Sequence, residues 1–119
     1  MKSLDKALLA LKLVRERKAL DPVLLDVAEM SSLTDYFLVA AGGSTRQVQA
    51  ITRHVLRSMR EAGVHALGVE GEREGQWVLV DYGDVVIHIF YEPVRAFYDL
   101  ESLWVEAPRI EGRNEEETR

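Results

Sequence analysis

Asp81 and His88 stand seven positions apart in residues 77–91, WVLVDYGDVVIHIFY, a run that opens on Trp77. A carboxylate that orients an imidazole is the core of general acid/base chemistry, so this run is the first candidate for catalysis. Whether the two side chains can meet depends on a hairpin. Gly83 and Asp84 suit a two-residue turn, and the flanking Val, Ile, Tyr and Phe suit a pleated surface. In that register Trp77 faces Phe90, Leu79 faces His88 and Asp81 faces Val86, which leaves Asp81 and His88 diagonal to one another on one side. Val78, Val80, Tyr82, Val85, Ile87 and Ile89 form the other side, a core wall. No Ser or Cys nucleophile stands in an identifiable motif. The same pair reads as well as a carboxylate steadying a half-buried histidine, or as the polar centre of an apolar docking face. Trp77 is open in the same way: it follows the polar loop 71–76 and fits either a core position or an interface anchor.

Other reactive patterns are weaker. Residues 41–46, AGGSTR, put glycines and a hydroxyl at a helix N-terminus, where free N–H groups could hold a phosphate. They lack the lysine and spacing of a P-loop and the third glycine of a dinucleotide fingerprint, and a plain turn and cap explains them. A glycine-serine turn followed by carboxylates would also suit metal-dependent nucleotidyl transfer. The only candidates are Glu70 and Glu72, in the acidic run 70–75 (EGEREG), and a mobile glutamate pair does not make ions converge. His54, His65 and His88 show no zinc spacing, and the absence of cysteine excludes thiolate sites and disulfides. No metal and no cofactor are expected.

These residues need elements to hold them. Ser3 can cap a first helix whose stripe is Leu4, Ala7, Leu8, Leu11 and Val14; packing on the domain explains that stripe better than membrane binding does. Asp21-Pro22 breaks the helix, and residues 23–28 and 36–41 read as strands. Ser44 with Gln47 fits a capping box for a second helix, with Val48, Ile51, Val55, Leu56 and Met59 buried and Gly63 at its end. A strand near 65–69 precedes the hairpin, and Pro93 opens a last helix. The order α-β-β-α-β-β-β-α implies an α/β (α+β) single domain: a mixed sheet of about five strands with helices packed on it.

The chain has 119 residues, of which 47% are apolar and 29% charged, values of one globular domain. That domain is expected to span 1–108, with 109–119 an acidic, disordered tail. No apolar run reaches membrane-spanning length, and the N-terminal helix is interrupted by charges, unlike a signal peptide, so the expected setting is cytoplasmic. The net charge of −5 is uneven: +4 over residues 1–20, zero over 21–60 and −9 over 61–119. An acidic half repels a phosphate backbone, so specific nucleic-acid binding is not expected, and a basic protein partner suits the chain better.

The runs 21–27 (DPVLLDV), 31–51 (SSLTDYFLVAAGGSTRQVQAI), 68–72 (GVEGE), 77–90 (WVLVDYGDVVIHIF) and 95–104 (RAFYDLESLW) closely resemble the ribosomal silencing factor family, also called the Iojap family. The most specific parts are Trp-x-x-x-Asp-x-Gly-Asp-x-x-x-His, met by Trp77, Asp81, Gly83, Asp84 and His88, and Tyr-x-Leu-Glu-x-Leu-Trp, met by Tyr98, Leu100, Glu101, Leu103 and Trp104. The resemblance implies a nucleotidyltransferase-like fold without the enzyme's active site. It implies that the chain binds universal ribosomal protein fourteen of the large ribosomal subunit and blocks subunit joining sterically, repressing translation, with no reaction catalysed. Homodimers are also implied. On this reading Trp77, Asp81, His88 and Phe90 lie near the contact, with Asp84 and Glu70 supplying charge. The alternatives are a metal-dependent nucleotidyltransferase and a self-associating domain that serves another partner.

Overall fold

In the computed structural model, which describes residues 1–111, the hairpin is β4 (Trp77–Asp81) and β5 (Val85–Tyr91). Its register is the one expected, with Trp77 opposite Phe90, Leu79 opposite His88 and Asp81 opposite Val86. Gly83 takes φ +88°, a backbone state that side chains disfavour, and the Tyr82 N–H closes the turn on the Val85 carbonyl at 2.9 Å.

The earlier elements are α1 (Ser3–Glu16), β1 (Leu20–Asp26), β2 (Tyr36–Gly42), α2 (Thr45–Glu61) and β3 (Gly68–Glu70). After the hairpin come α3 (Glu92–Tyr98), a 3-10 helix (Leu100–Trp104) and β6 (Arg109–Ile110). The sheet is mixed, in the order β3-β4-β5-β2-β1-β6, and only β2 and β5 run parallel. Helix α2 therefore carries the chain from β2 to the far edge, and two antiparallel returns bring it back to β5 beside β2. The domain is α+β, as the element order implies.

Several boundaries differ from the expectation. The sheet has six strands, close to the five or so expected; the extra one is Arg109 and Ile110, placed in the tail by composition, which pair with Leu25 and Leu24 of β1. The other tail residues from 112 onward lie outside the described residues. β1 begins at Leu20, ahead of Asp21-Pro22: the pair forms a bulge between Leu20 and Val23, with Asp21 at φ +42°, and a bulge is where a sheet tolerates proline. β3 starts at Gly68 and takes in Glu70, which leaves the acidic loop shorter. The last helix stops at Asp99 (φ +45°) and continues as the 3-10 turn.

Helices α1 and α2 lie together on one face of the sheet. Their stripes (Ala7, Ala10, Leu11 and Val14; Val48, Ile51, Val55 and Met59) meet Leu24, Leu38, Ala40, Val78, Val80, Val85, Ile87 and Ile89 in one aliphatic core. Ser44 caps α2, its Oγ accepting from the Gln47 N–H at 3.0 Å, while Gln47 Oε1 accepts from the Gly43 N–H at 2.6 Å. Two amides of residues 41–47 are thus bonded within the cap, which is the turn reading of AGGSTR. Ser3 does not cap α1. Lys2 holds that position, and the Ser3 hydroxyl points instead at the hairpin turn.

Candidate functional site

The alternate residues of the same strands face away from α1 and α2. This second face carries Trp77, Leu79, Asp81, Val86, His88 and Phe90 from the hairpin, and Val23, Leu25 and Phe37 from the neighbouring strands. Among the described residues α3, the 3-10 helix and Ala107 just after it approach this face. Arg95 anchors that corner: Nε and Nη2 donate to Glu101 Oε2 at 3.0 and 2.8 Å, and Nη1 donates to the Leu20 carbonyl at 3.1 Å. The clamp sets Tyr98 and Trp104 over the sheet.

The result is a continuous band of rings. Trp104 meets Phe37 at 5.1 Å between centroids, Phe37 meets His88 at 5.5 Å, and Trp77 meets Phe90 at 4.8 Å and Tyr98 at 5.0 Å. Phe97 continues it at 5.1 Å from Tyr98. These are tilted and edge-on arrangements, which the ring quadrupole favours over face-to-face stacking. At the centre the Trp77 indole Nε1–H donates to His88 Nδ1 at 3.0 Å. Because the indole can only donate, Nδ1 must be the unprotonated nitrogen of a neutral imidazole. Burial enforces the same state by holding the His88 pKa down at about 4.

The expected site residues separate into three groups. Trp77 and Asp81 are half-exposed on the second face, and Glu70 is exposed at the end of edge strand β3. His88 and Phe90 lie beneath that surface, at 6% and 0% exposure, so they support the contact surface rather than form it. Asp84 belongs to neither group. Its Oδ2 accepts from the Ser3 hydroxyl at 2.6 Å and its Oδ1 pairs with Lys6 Nζ at 2.8 Å, so it ties the hairpin turn to α1 instead of offering charge to a partner. Burial works to raise its pKa, but the Lys6 and Ser3 hydrogen bonds outweigh that and lower it.

The acid/base dyad does not form. Asp81 Oδ1 accepts from the Gly83 N–H at 2.7 Å, while His88 Nδ1 is taken by Trp77, so each group is engaged by a different neighbour. Glu72 contributes its backbone instead: its carbonyl and that of Arg73 accept from Gln49 Nε2 at 3.2 and 2.8 Å, which moors the acidic loop to α2. Among the described residues no group of three or more His, Cys, Asp or Glu side chains converges as a metal site.

Phe37 and Phe97 were not singled out by sequence reasoning, whereas the hairpin register alone places Leu79 on this face. The alternation of β2 does place Phe37 with Val39 and Ala41 on one side. Only the parallel pairing of β2 with β5, across distant parts of the chain, reveals which side. Exposed Phe97, Leu103 and Val105 (80, 73 and 82%) extend the apolar surface past the ring band. The positions of Leu103 and Val105 follow from the αL residue Asp99, which no periodicity announces.

This face combines an oriented, half-exposed tryptophan with a band of aromatic rings, a composition found at protein interfaces. A family model described as "Ribosomal silencing factor during starvation" matches residues 1–119. "Ribosomal silencing factor RsfS" of Halalkalibacterium halodurans is 41% identical over 103 residues, covering 87% of this chain and 88% of the relative. The protein of that name from Bacillus subtilis is 44% identical over 93 residues, covering 78% and 79%. A crystal structure of a Chromobacterium violaceum protein superposes with a TM-score of 0.86 at 38% identity, covering 96% of this chain and 90% of that one. With the model matched from end to end and relatives above 40% identity over most of both chains, this chain belongs to the ribosomal silencing factor family.

Proposed function

We propose that the chain docks its second sheet face on universal ribosomal protein fourteen of the large ribosomal subunit, blocks subunit joining by bulk and so represses translation in the cytoplasm. The observation that carries this reading is the half-exposed Trp77, held by His88 in a ring band that, among the described residues, no long helix covers. Trp77, Leu79 and Tyr98 are the anchors. Asp81, whose Oδ1 is occupied within the turn, and Glu70 at the edge form an acidic rim suited to a basic ribosomal protein.

The mechanism is steric, and no bond is made or broken. Contact between two subunits requires atoms to approach to roughly 4 Å. A body measuring 33 × 31 × 31 Å seated on the joining surface holds them far beyond that distance. Self-association through the same apolar face, which Phe97, Leu103 and Val105 favour by their exposure, would compete with docking.

Gradient sedimentation of isolated subunits tests the reading. The protein is expected to travel with the large subunit and to reduce the peak of joined ribosomes. Trp77→Ala is expected to weaken the association by at least about tenfold, the effect of losing an aromatic anchor of roughly 2 kcal/mol. Travel with the small subunit alone, or undiminished joining at saturating protein, would overturn it.

A further inference from the structure

We propose that the solvent face of α2 is a second binding surface, one that takes the sugar-phosphate backbone of an RNA duplex. The exposed positions of this helix are Arg46, Ala50, Arg53, Arg57, Arg60 and Glu61, so four of six are arginine. At 100° per residue the four arginines fall within a wedge of about 60°, and at 1.5 Å per residue they run for about 21 Å. They make one straight cationic ridge.

Three observations separate this ridge from an ordinary solvated helix face. A solvated face interleaves acids and bases at i,i+4, whereas α2 contributes one acid, Glu61, four residues after Arg57 at its last position, and Arg46, Arg53 and Arg60 have no acid at that spacing. None of the four arginines makes a hydrogen bond or ion pair among the described residues, while the nearby Glu16 of α1 is occupied by His54 at 2.8 Å. Arg46 stands in the first turn, which holds no acidic residue, and a cation there opposes the helix dipole. Helix stability does not account for its charge; an external anion does.

The occupant follows from the neighbours. A membrane surface would need apolar side chains beside the cations, and the ridge offers only Ala50. Guanidinium groups spaced along a rigid rod suit phosphates spaced along a rigid backbone, and they bind without reading sequence. The chain's net charge of −5 conceals this, because the excess of carboxylates lies in residues 61–119 while α2 itself is cationic. The ridge and the ring band lie on opposite sides of the sheet, so both can be occupied at once. The inference rests on α2 and not on the docking reading.

The test is fluorescence anisotropy of a 20-base-pair RNA duplex with the full chain between 50 and 200 mM KCl. With four phosphate contacts the expected log–log salt slope is about −3 to −4. Replacing Arg46, Arg53, Arg57 and Arg60 together by Ala should bring the slope close to zero and weaken binding at least tenfold at 50 mM salt. The all-Lys version should keep most of it. All four positions are solvent-exposed, and circular dichroism verifies that each version is folded. No binding by the parent chain, or equal slopes for the parent and Ala versions, would overturn the proposal. So would equal or tighter capture by polyglutamate or by phosphatidylglycerol vesicles, which would reassign the ridge to an acidic protein or a membrane. No ribosomal protein is present, so failure here leaves the docking reading standing, and the reverse.

Discussion

The two faces of the sheet are made from alternate residues of the same strands, yet they are closed by different means. Towards α1 and α2 the inner residues are buried and, Tyr82 aside, aliphatic, and the seal is a layer of two long helices. On the other side the cover is a short helix, a 3-10 turn and a band of aromatic rings steadied by one indole–imidazole hydrogen bond. The first face invests in volume and stability. The second gives up part of its burial and gains an oriented, half-open aromatic surface, which is the basis for proposing recognition there.

Neighbouring residues of β5 give the largest test of that contrast. Ile87 points into the helix-covered core at 0% exposure, and Val86 points the other way and is half-buried. Ile87→Ala is expected to cost about 2 to 5 kcal/mol in urea unfolding, against under about 1 kcal/mol for Val86→Ala. Equal costs would mean that the second face is as tightly packed as the first.

The next effect is acid sensitivity, and it belongs to the second face. The pKa of His88 lies near 4 in the fold and near 6.5 in the unfolded chain, so the unfolded state binds more protons between those values. Stability from this group is complete above about pH 6.5 and is lost as pH falls towards 4, in total about 3 kcal/mol. Urea midpoints for the parent and His88→Gln between pH 7 and 4 check it: the parent should lose stability over that range more steeply than the variant. Parallel pH profiles would place the acid sensitivity elsewhere.

The seam between the turn and the helix layer ranks third. Asp84→Ala removes the Lys6 ion pair and the Ser3 hydrogen bond together and is expected to cost about 2 kcal/mol. Its effect on docking should be nil, since Asp84 faces α1. Weakened large-subunit association in a folded Asp84→Ala protein would return Asp84 to the contact surface.

What could be read from the sequence tracks how local each interaction is. The hairpin register and the α2 cap were legible because a turn residue and a short alternation, or a serine and a glutamine three positions on, define them. The bulge at Asp21-Pro22 reversed the meaning of a proline that ordinarily marks a break, and so hid the start of β1. β6 stayed hidden because two residues beside a polar tail form a strand only when β1 is there to pair with them. In the candidate site, residue type singles out Trp77 and Asp81, and alternation places them on one face of the hairpin. That Asp84 turns to Lys6, and that His88 serves Trp77 rather than Asp81, depends on side-chain direction, which spacing does not encode.

The smallest effect is the most discriminating for the second face. Trp77→Phe keeps a ring against Phe90 and Tyr98 but removes the indole N–H, leaving His88 Nδ1 without its donor. The expected loss is about 1 kcal/mol at pH 7. That loss falls on the neutral imidazole alone, because a protonated Nδ1 could not accept the bond in either protein. The native His88 pKa should therefore rise above about 4 in the variant, by up to roughly 0.7 units for 1 kcal/mol, as read from the imidazole resonances in an NMR titration. An unmoved pKa would show that burial alone keeps the histidine neutral. The indole would then be held by its ring contacts, and the difference between the two faces would reduce to how much of each is covered.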